Sequence, residues 1–104
     1  MERGEIWWAN FPQPTGRRPV LLLSRNRAYE VRPEITVAKV TATIRYIPVE
    51  VELGTEDGMP ERCVVNCDTI TTVSKARLSQ RITCLSQEKM NAVKRAIIYA
   101  LDLD

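Results

Sequence analysis

Arg17-Arg18-Pro19-Val20-Leu21-Leu22-Leu23-Ser24 sets two guanidinium groups directly against a short, unbroken apolar run. Thr15-Gly16 precedes the stretch and Arg25-Asn26 follows it. A run this short between turn-forming residues reads as a central strand buried on both faces. Pro19 has no N–H to give a sheet ladder, so it is expected at the strand's first position. The arginines then stand at the mouth of a rigid strand. A guanidinium aimed from there suits a fixed anion such as phosphate, because its planar fork donates paired hydrogen bonds. The competing reading is a solvated basic flank that keeps the strand soluble.

Upstream, Glu5 to Phe11 is aromatic and β-prone, with Ile6, Trp7, Trp8 and Phe11. It reads as a first strand. Adjacent Trp7 and Trp8 must point to opposite faces. One is expected in the core and the other at an interface, with stacking on a base as a further use. Pro12-Gln13-Pro14-Thr15-Gly16 is a short polar loop that joins the two strands like a hairpin.

Downstream, Arg25 to Pro33 reads as a connection with a single helical turn. Ile35 to Thr43 is rich in β-branched residues and reads as a third strand. Lys39, Thr41 and Thr43 share its polar face, while Ala38, Val40, Ala42 and Ile44 form an apolar face for the core. The polar face is ordinarily a solvated one; it becomes a site only if Arg18 projects beside it. Pro48 to Leu53 alternates cleanly, with Val49, Val51 and Leu53 inward and Glu50 and Glu52 outward. Gly54 to Pro60 is a turn-rich loop. Arg62 to Cys67 and Asp68 to Val73 make two short strands or one bent strand. Ser74 caps a short helix at Lys75 to Leu78, and Arg81 to Leu85 is a last strand. Ser86 caps a terminal helix running to about Leu101, with Glu88 in its first turn. Met90, Val93, Ile97 and Leu101 give that helix one apolar stripe for core packing.

Short strands, few glycines and one strong terminal helix predict a mainly β, α+β fold: a small, strongly curved sheet or partly closed barrel with the helix outside. No repeat, low-complexity segment or linker interrupts residues 1–104, so one domain is expected. At 44% hydrophobic and 27% charged, the chain can fill one core and remain solvated. No apolar run approaches a membrane span, and Met1-Glu2-Arg3-Gly4 does not begin a signal peptide, so the expected location is the cytoplasm.

Cys63, Cys67 and Cys84 make an odd count without framework spacing, which predicts reduced, buried thiols. Histidine is absent, which removes the commonest general base and metal ligand together. Cys63 and Cys67 lack Cys-x-x-Cys spacing, which argues against zinc. The net charge of +2 is too small to argue for nucleic acid. Its distribution is more informative. Arg17, Arg18, Arg25, Arg27 and Arg32 face only Glu30 between residues 17 and 32, whereas Glu50, Glu52, Glu56, Asp57 and Glu61 have no basic neighbour between 50 and 61. A segregated surface of this kind can draw an anionic chain to one side. Ordinary solvated loops have the same composition.

Met1-Glu2-Arg3-Gly4-Glu5-Ile6-Trp7-Trp8, then Gly16 to Ser24, Val40-Thr41-Ala42, Val65 to Val73 and Ala76-Arg77-Leu78 occur in one order along nearly the whole chain. In these segments the sequence resembles the MazF/PemK family of toxin endoribonucleases. The arginine-proline-valine strand and the Cys67-Asp68-x-Ile70-x-Thr72 segment are its most specific parts. The resemblance implies an SH3-like small β-barrel with added helices, of the CcdB/MazF kind, assembled as a homodimer. It implies sequence-selective cleavage of single-stranded RNA without metal or other cofactor. It also implies a cognate antitoxin whose acidic, partly disordered segment occupies the RNA groove.

Arg18 resembles the family's catalytic arginine, and Thr41 the threonine that works with it. Asp68 falls where some members carry an aspartate that serves as general base. Arg17, Thr43 and Asn66 are expected to contact RNA outside the reaction centre. Asn66 stands where those members carry a second arginine, and the loop at 12–16 is shorter than the family's usual insertion. Two rival readings keep the same fold: a toxin directed at a gyrase subunit, and a non-catalytic RNA-binding module. The first would not need Arg18 beside Thr41; the second would bind RNA without cutting it.

Overall fold

In the computed structural model, which describes residues 1–103, the elements run β1 (Glu5–Asn10), β2 (Arg17–Leu22), α1 (Ala28–Val31), β3 (Glu34–Thr41), β4 (Glu50–Leu53), β5 (Cys63–Ser74), β6 (Leu78–Cys84) and α2 (Gln87–Leu101). The strands form one antiparallel sheet in the order β4-β5-β3-β2-β1-β6. β5 and β6 follow each other in the chain, yet β3, β2 and β1 lie between them. In a flat sheet that separation would be about 19 Å at ~4.8 Å per strand. The link from Ser74 to Leu78 is a 3₁₀ turn at Lys75–Arg77 and could span at most about 14 Å even when extended. The sheet must therefore curl. β4 and β6 remain unjoined edges, so the result is a half-barrel with α2 against it.

Val20, Leu21 and Leu22 are fully buried, as a central strand requires. Their alternation feeds two cores. Leu21 joins Ala38, Val40, Val65 and Val93 beneath α2. Val20 and Leu22 join Ile35, Val37 and Val73 on the other face. Ser86 caps α2, its Oγ accepting from the Lys89 N–H at 3.1 Å. Val93 and Ala96 are buried, and Met90 and Ile97 pack against the first core. Leu101 is exposed, because the helix outruns the sheet and the stripe's last residue has nothing to cover.

Several boundaries differ from the sequence reading for physical reasons. β2 begins at Arg17, so Pro19 is its third residue rather than its first. The β1 ladder runs along Arg17–Leu21, but the β3 ladder starts only at Val20, and Pro19 is tolerated where no donor is needed. β3 stops at Thr41, and Ala42 turns outward instead of facing the core. β5 is a single bent strand. Its pairing with β3 slips between Ala38↔Ile70 and Val40↔Val65, so a bulge at Asn66–Thr69 stands opposite Lys39. Trp7 and Trp8 are each half-buried, neither filling a core outright. Cys63 and Cys67 are buried, but Cys84 at the end of an edge strand is exposed.

Candidate active site

β2 and β3 pair through Val20↔Lys39, Leu21↔Ala38 and Leu22↔Val37. Continuing this register by two residues sets Arg18 opposite Thr41 on one face. The ladder ends before reaching them, since Pro19 has no N–H to carry it onward. The strands part there, and Arg18 and Thr41 flank the opening. Both line a cavity of about 350 Å³ on one side of it. Both also line a second cavity of about 190 Å³ on the other. Arg18 Nε is buried and makes no hydrogen bond. A buried guanidinium donor without a partner is costly to leave unmet, so the position calls for an acceptor.

Thr41 is prepared to donate. Its Oγ1 accepts from the Thr43 N–H at 3.2 Å, which leaves the hydroxyl proton free for another acceptor. Arg17 lies on the rim of the larger cavity. Trp8 pairs across the strands with Pro19, and Arg17 sits diagonally from it on the same face. The Arg17 guanidinium lies 4.3 Å from the centre of the Trp8 ring, a contact that holds the charge while leaving its outer face open.

The remaining wall of the larger cavity comes from the loop before β5. A 3₁₀ turn at Thr55–Asp57 is closed by the Asp57 carboxylate accepting from the Gly54 N–H at 2.9 Å. Gly58 follows with φ +89°, a left-handed conformation that suits glycine. This turn delivers Met59, Pro60 and Glu61 to the cavity, with Cys63 beside them. Burial raises the Cys63 thiol to about 11, and the Glu61 and Asp57 charges push the same way. Cys63 is thus a protonated apolar wall, not a nucleophile.

The second cavity differs in character. Lys39, Arg45, Asn66 and Thr69 complete its lining, without a carboxylate. Among the described residues, Arg17, Arg18, Lys39 and Arg45 enter no ion pair. Asn66 is buried and braces the β5 bulge, its Oδ1 accepting from the Asp68 N–H at 2.8 Å. The Thr69 hydroxyl donates to the Asn66 carbonyl at 2.9 Å.

The fold thus gathers Arg17, Arg18, Thr41 and Thr43 at the larger cavity, and Arg18, Thr41 and Asn66 at the smaller. Asp68 is exposed on the bulge and lines neither. Sequence reasoning offered base stacking to one of Trp7 and Trp8 without deciding which, and it did not single out Glu61 or Arg45 for the site. Glu61 and Arg45 lie in irregular segments whose direction no local periodicity encodes. Among the described residues, no three histidine, cysteine or acidic side chains converge as a metal site would require. No helix among them is long and apolar enough to cross a membrane.

The family model of the PemK-like, MazF-like toxins of type II toxin–antitoxin systems matches residues 2–101. The probable endoribonuclease MazF5 of Mycobacterium tuberculosis is 40% identical over 101 residues, spanning 96% of this chain and 92% of that protein. The endoribonuclease MazF of Staphylococcus saprophyticus is 30% identical, over 99% and 92% of the two chains. Among solved structures, the M. tuberculosis toxin MazF-mt6 superposes with a TM-score of 0.89 at 32% identity, covering 96% of this chain and 98% of its own. A mycobacterial endoribonuclease solved with its cognate antitoxin gives 0.88 at 27% identity, over 100% and 97% of the chains. Their extent and agreement place this chain in the PemK-like, MazF-like toxin family of type II toxin–antitoxin systems.

Proposed function

We propose that the chain is a toxin endoribonuclease that cuts single-stranded RNA at selected sequences and is neutralised by a cognate antitoxin. The similarity to endoribonucleases over nearly the full chain supports the activity. The observation that carries the site is the unpartnered, buried Nε of Arg18 beside the free hydroxyl proton of Thr41.

RNA brings its own nucleophile, the ribose 2′-hydroxyl. The protein need only align it with the scissile phosphorus and stabilise the charge that develops there. Arg18 grips the phosphate with its fork and offsets the added charge of the pentavalent intermediate. Thr41 donates to a phosphate oxygen. Arginine is too weak an acid to give up a proton at neutral pH, so its work is electrostatic. The 2′-oxygen bonds to phosphorus as the bond to the 5′-oxygen breaks, and the departing 5′-oxygen takes a proton from solvent water. The products are a 2′,3′-cyclic phosphate and a 5′-hydroxyl.

The 2′-hydroxyl proton needs a base. Asp68 matches the family position but lies outside both cavities. Glu61 is the carboxylate on the larger cavity's wall, and we assign the role to it. Arg17, Thr43 and Asn66 hold the flanking RNA. No step calls on a metal ion or cofactor. The acidic segment of an antitoxin would compete for the same cationic opening. Membership of the family supports homodimeric assembly, a cytoplasmic location, and residues 1–104 acting as one toxin domain.

The test is to expose a mixed RNA pool to the purified protein with excess chelator and to map the new ends. Cutting with cyclic-phosphate and 5′-hydroxyl ends is expected. Ends bearing 5′-phosphate, or chelator-sensitive cutting, would refute the route, and binding without cutting would select the non-catalytic module.

A further inference from the structure

The smaller cavity has chemistry that the scissile phosphate leaves unused. Arg18 and Thr41 close one wall of it, but Lys39 and Arg45 lie beyond them and contribute two further cations. Neither has an acidic partner among the described residues. The β5 bulge opposite Lys39 interrupts strand pairing and leaves room where a regular ladder would close. Lys39 is held over the Phe11 ring, its Nζ 4.9 Å from the ring centre, which fixes the ammonium without neutralising it. The Arg45 backbone is anchored too. Its N–H and that of Tyr46 donate to Glu50 Oε1 at 2.9 and 3.0 Å. Those bonds use Glu50 Oε1 alone; Oε2 is buried without a hydrogen-bond partner, and Glu50 lies outside the cavity lining.

We infer that Lys39 and Arg45 form a second phosphate subsite, which binds the phosphodiester adjacent to the one held by Arg18 and Thr41. The inference rests on the reading of the opening as an RNA site. Spacing supports it. Lys39 and Thr41 are two residues apart on one strand face, so their side chains stand about 7 Å apart. That is comparable to one nucleotide step along an extended single strand. The two cavities also divide the labour chemically. The larger is walled by Trp8, Met59, Pro60 and Cys63 and suits a base. The smaller offers cations, a threonine hydroxyl and an amide, and suits a phosphate.

The experiment separates this subsite from cleavage. The probe is a fluorescent mixed-sequence 2′-O-methyl RNA 12-mer pool, whose blocked hydroxyl prevents reaction. Binding is followed by anisotropy across a salt series. Lys39→Ala and Arg45→Ala should each weaken binding roughly tenfold at low salt and flatten the slope of log K against log salt by about 0.7. Lys39→Arg should keep the wild-type slope. Lys94→Ala, an exposed cation on α2, serves as the control for general charge loss. If Lys39→Ala and Arg45→Ala match wild type, or lose no more than Lys94→Ala, the subsite is refuted.

A second measurement locates the contact. At a cut site mapped from the pool, the neighbouring phosphate is replaced by a neutral methylphosphonate. Wild type should lose about tenfold in kcat/KM, and Lys39→Ala less than about twofold from the same replacement. Equal losses would refute the pairing of Lys39 with that phosphate. A wild-type protein that cuts no RNA would overturn the endoribonuclease reading, while the anisotropy series would still decide the subsite.

Discussion

At the scale of single residues, the site depends on what Arg18 can do that another cation cannot. Its Nε is buried and unpartnered, so one donor of the fork is withheld from solvent and left for a ligand. Arg18→Ala should lower the cleavage rate on the order of a hundredfold or more, as loss of one stabiliser of developing charge does. Arg18→Lys should recover little, because an ammonium cannot reproduce the paired planar donors. Initial rates at saturating RNA decide this, and a lysine variant near wild type would show that charge alone suffices. The proton acceptor is a second single-residue question. Glu61→Gln keeps the shape of the cavity wall and removes the base. It should depress kcat at least about tenfold and abolish the acid limb of the pH–rate profile. Asp68→Asn, on the exposed bulge, should leave that limb in place. The opposite pattern would return the role to Asp68.

At the scale of elements, Pro19 is the residue that parts β2 from β3. Restoring a donor should let the ladder extend toward Arg18 and Thr41. Pro19→Ala is therefore expected to leave thermal stability equal or higher while reducing cleavage, a split that thermal melts and rate measurements on one preparation would reveal. Joint loss of both would mean that Pro19 serves folding alone. Gly58 tests the opposite wall. Its φ of +89° costs an L-residue about 1–2 kcal/mol, and a methyl group there would strike the Thr83 side chain. Gly58→Ala should lower stability by at least that much in urea titrations and disturb Met59, Pro60 and Glu61 together. The strand carrying Arg18 was legible in the sequence because an apolar run bounded by turn residues has few other fates. The terminal helix was legible from its Ser86 cap and apolar spacing. The convergence of Arg18 on Thr41 came from resemblance, since register between strands is not written in either strand. The β5 bulge was visible only as an uncertainty between two strands and a bent one. Arg45 and Glu61 stayed hidden because loops obey tertiary contacts rather than period.

At the scale of the whole molecule, folding withholds three weak acids from water, and this sets how the protein meets alkali. Burial raises Cys63 and Cys67 to about 11, against an ordinary 9.0, with nearby carboxylates adding to the effect. Burial likewise raises Tyr29 to about 12 from 10.0, while its hydroxyl donates to the Ser24 carbonyl at 3.0 Å. These groups belong to both cores: the thiols to the one under α2, the phenol to the other. The folded state therefore holds protons that the unfolded chain releases first. Their contribution is complete below about pH 9 and declines as pH rises through the folded values. Urea midpoints, measured under reducing conditions, should hold steady from pH 7 to 8.5 and fall between 9 and 11. Tyr29→Phe cannot ionise at that position, so its midpoint should fall less steeply above pH 10. A flat wild-type midpoint across that range would refute the linkage. The same burial governs reactivity. Iodoacetamide near neutral pH should label the exposed Cys84 first, and reach Cys63 and Cys67 only in urea. Mass analysis of the labelled peptides gives the order, and early labelling of Cys63 would mean that the larger cavity opens far more readily than its packed walls imply.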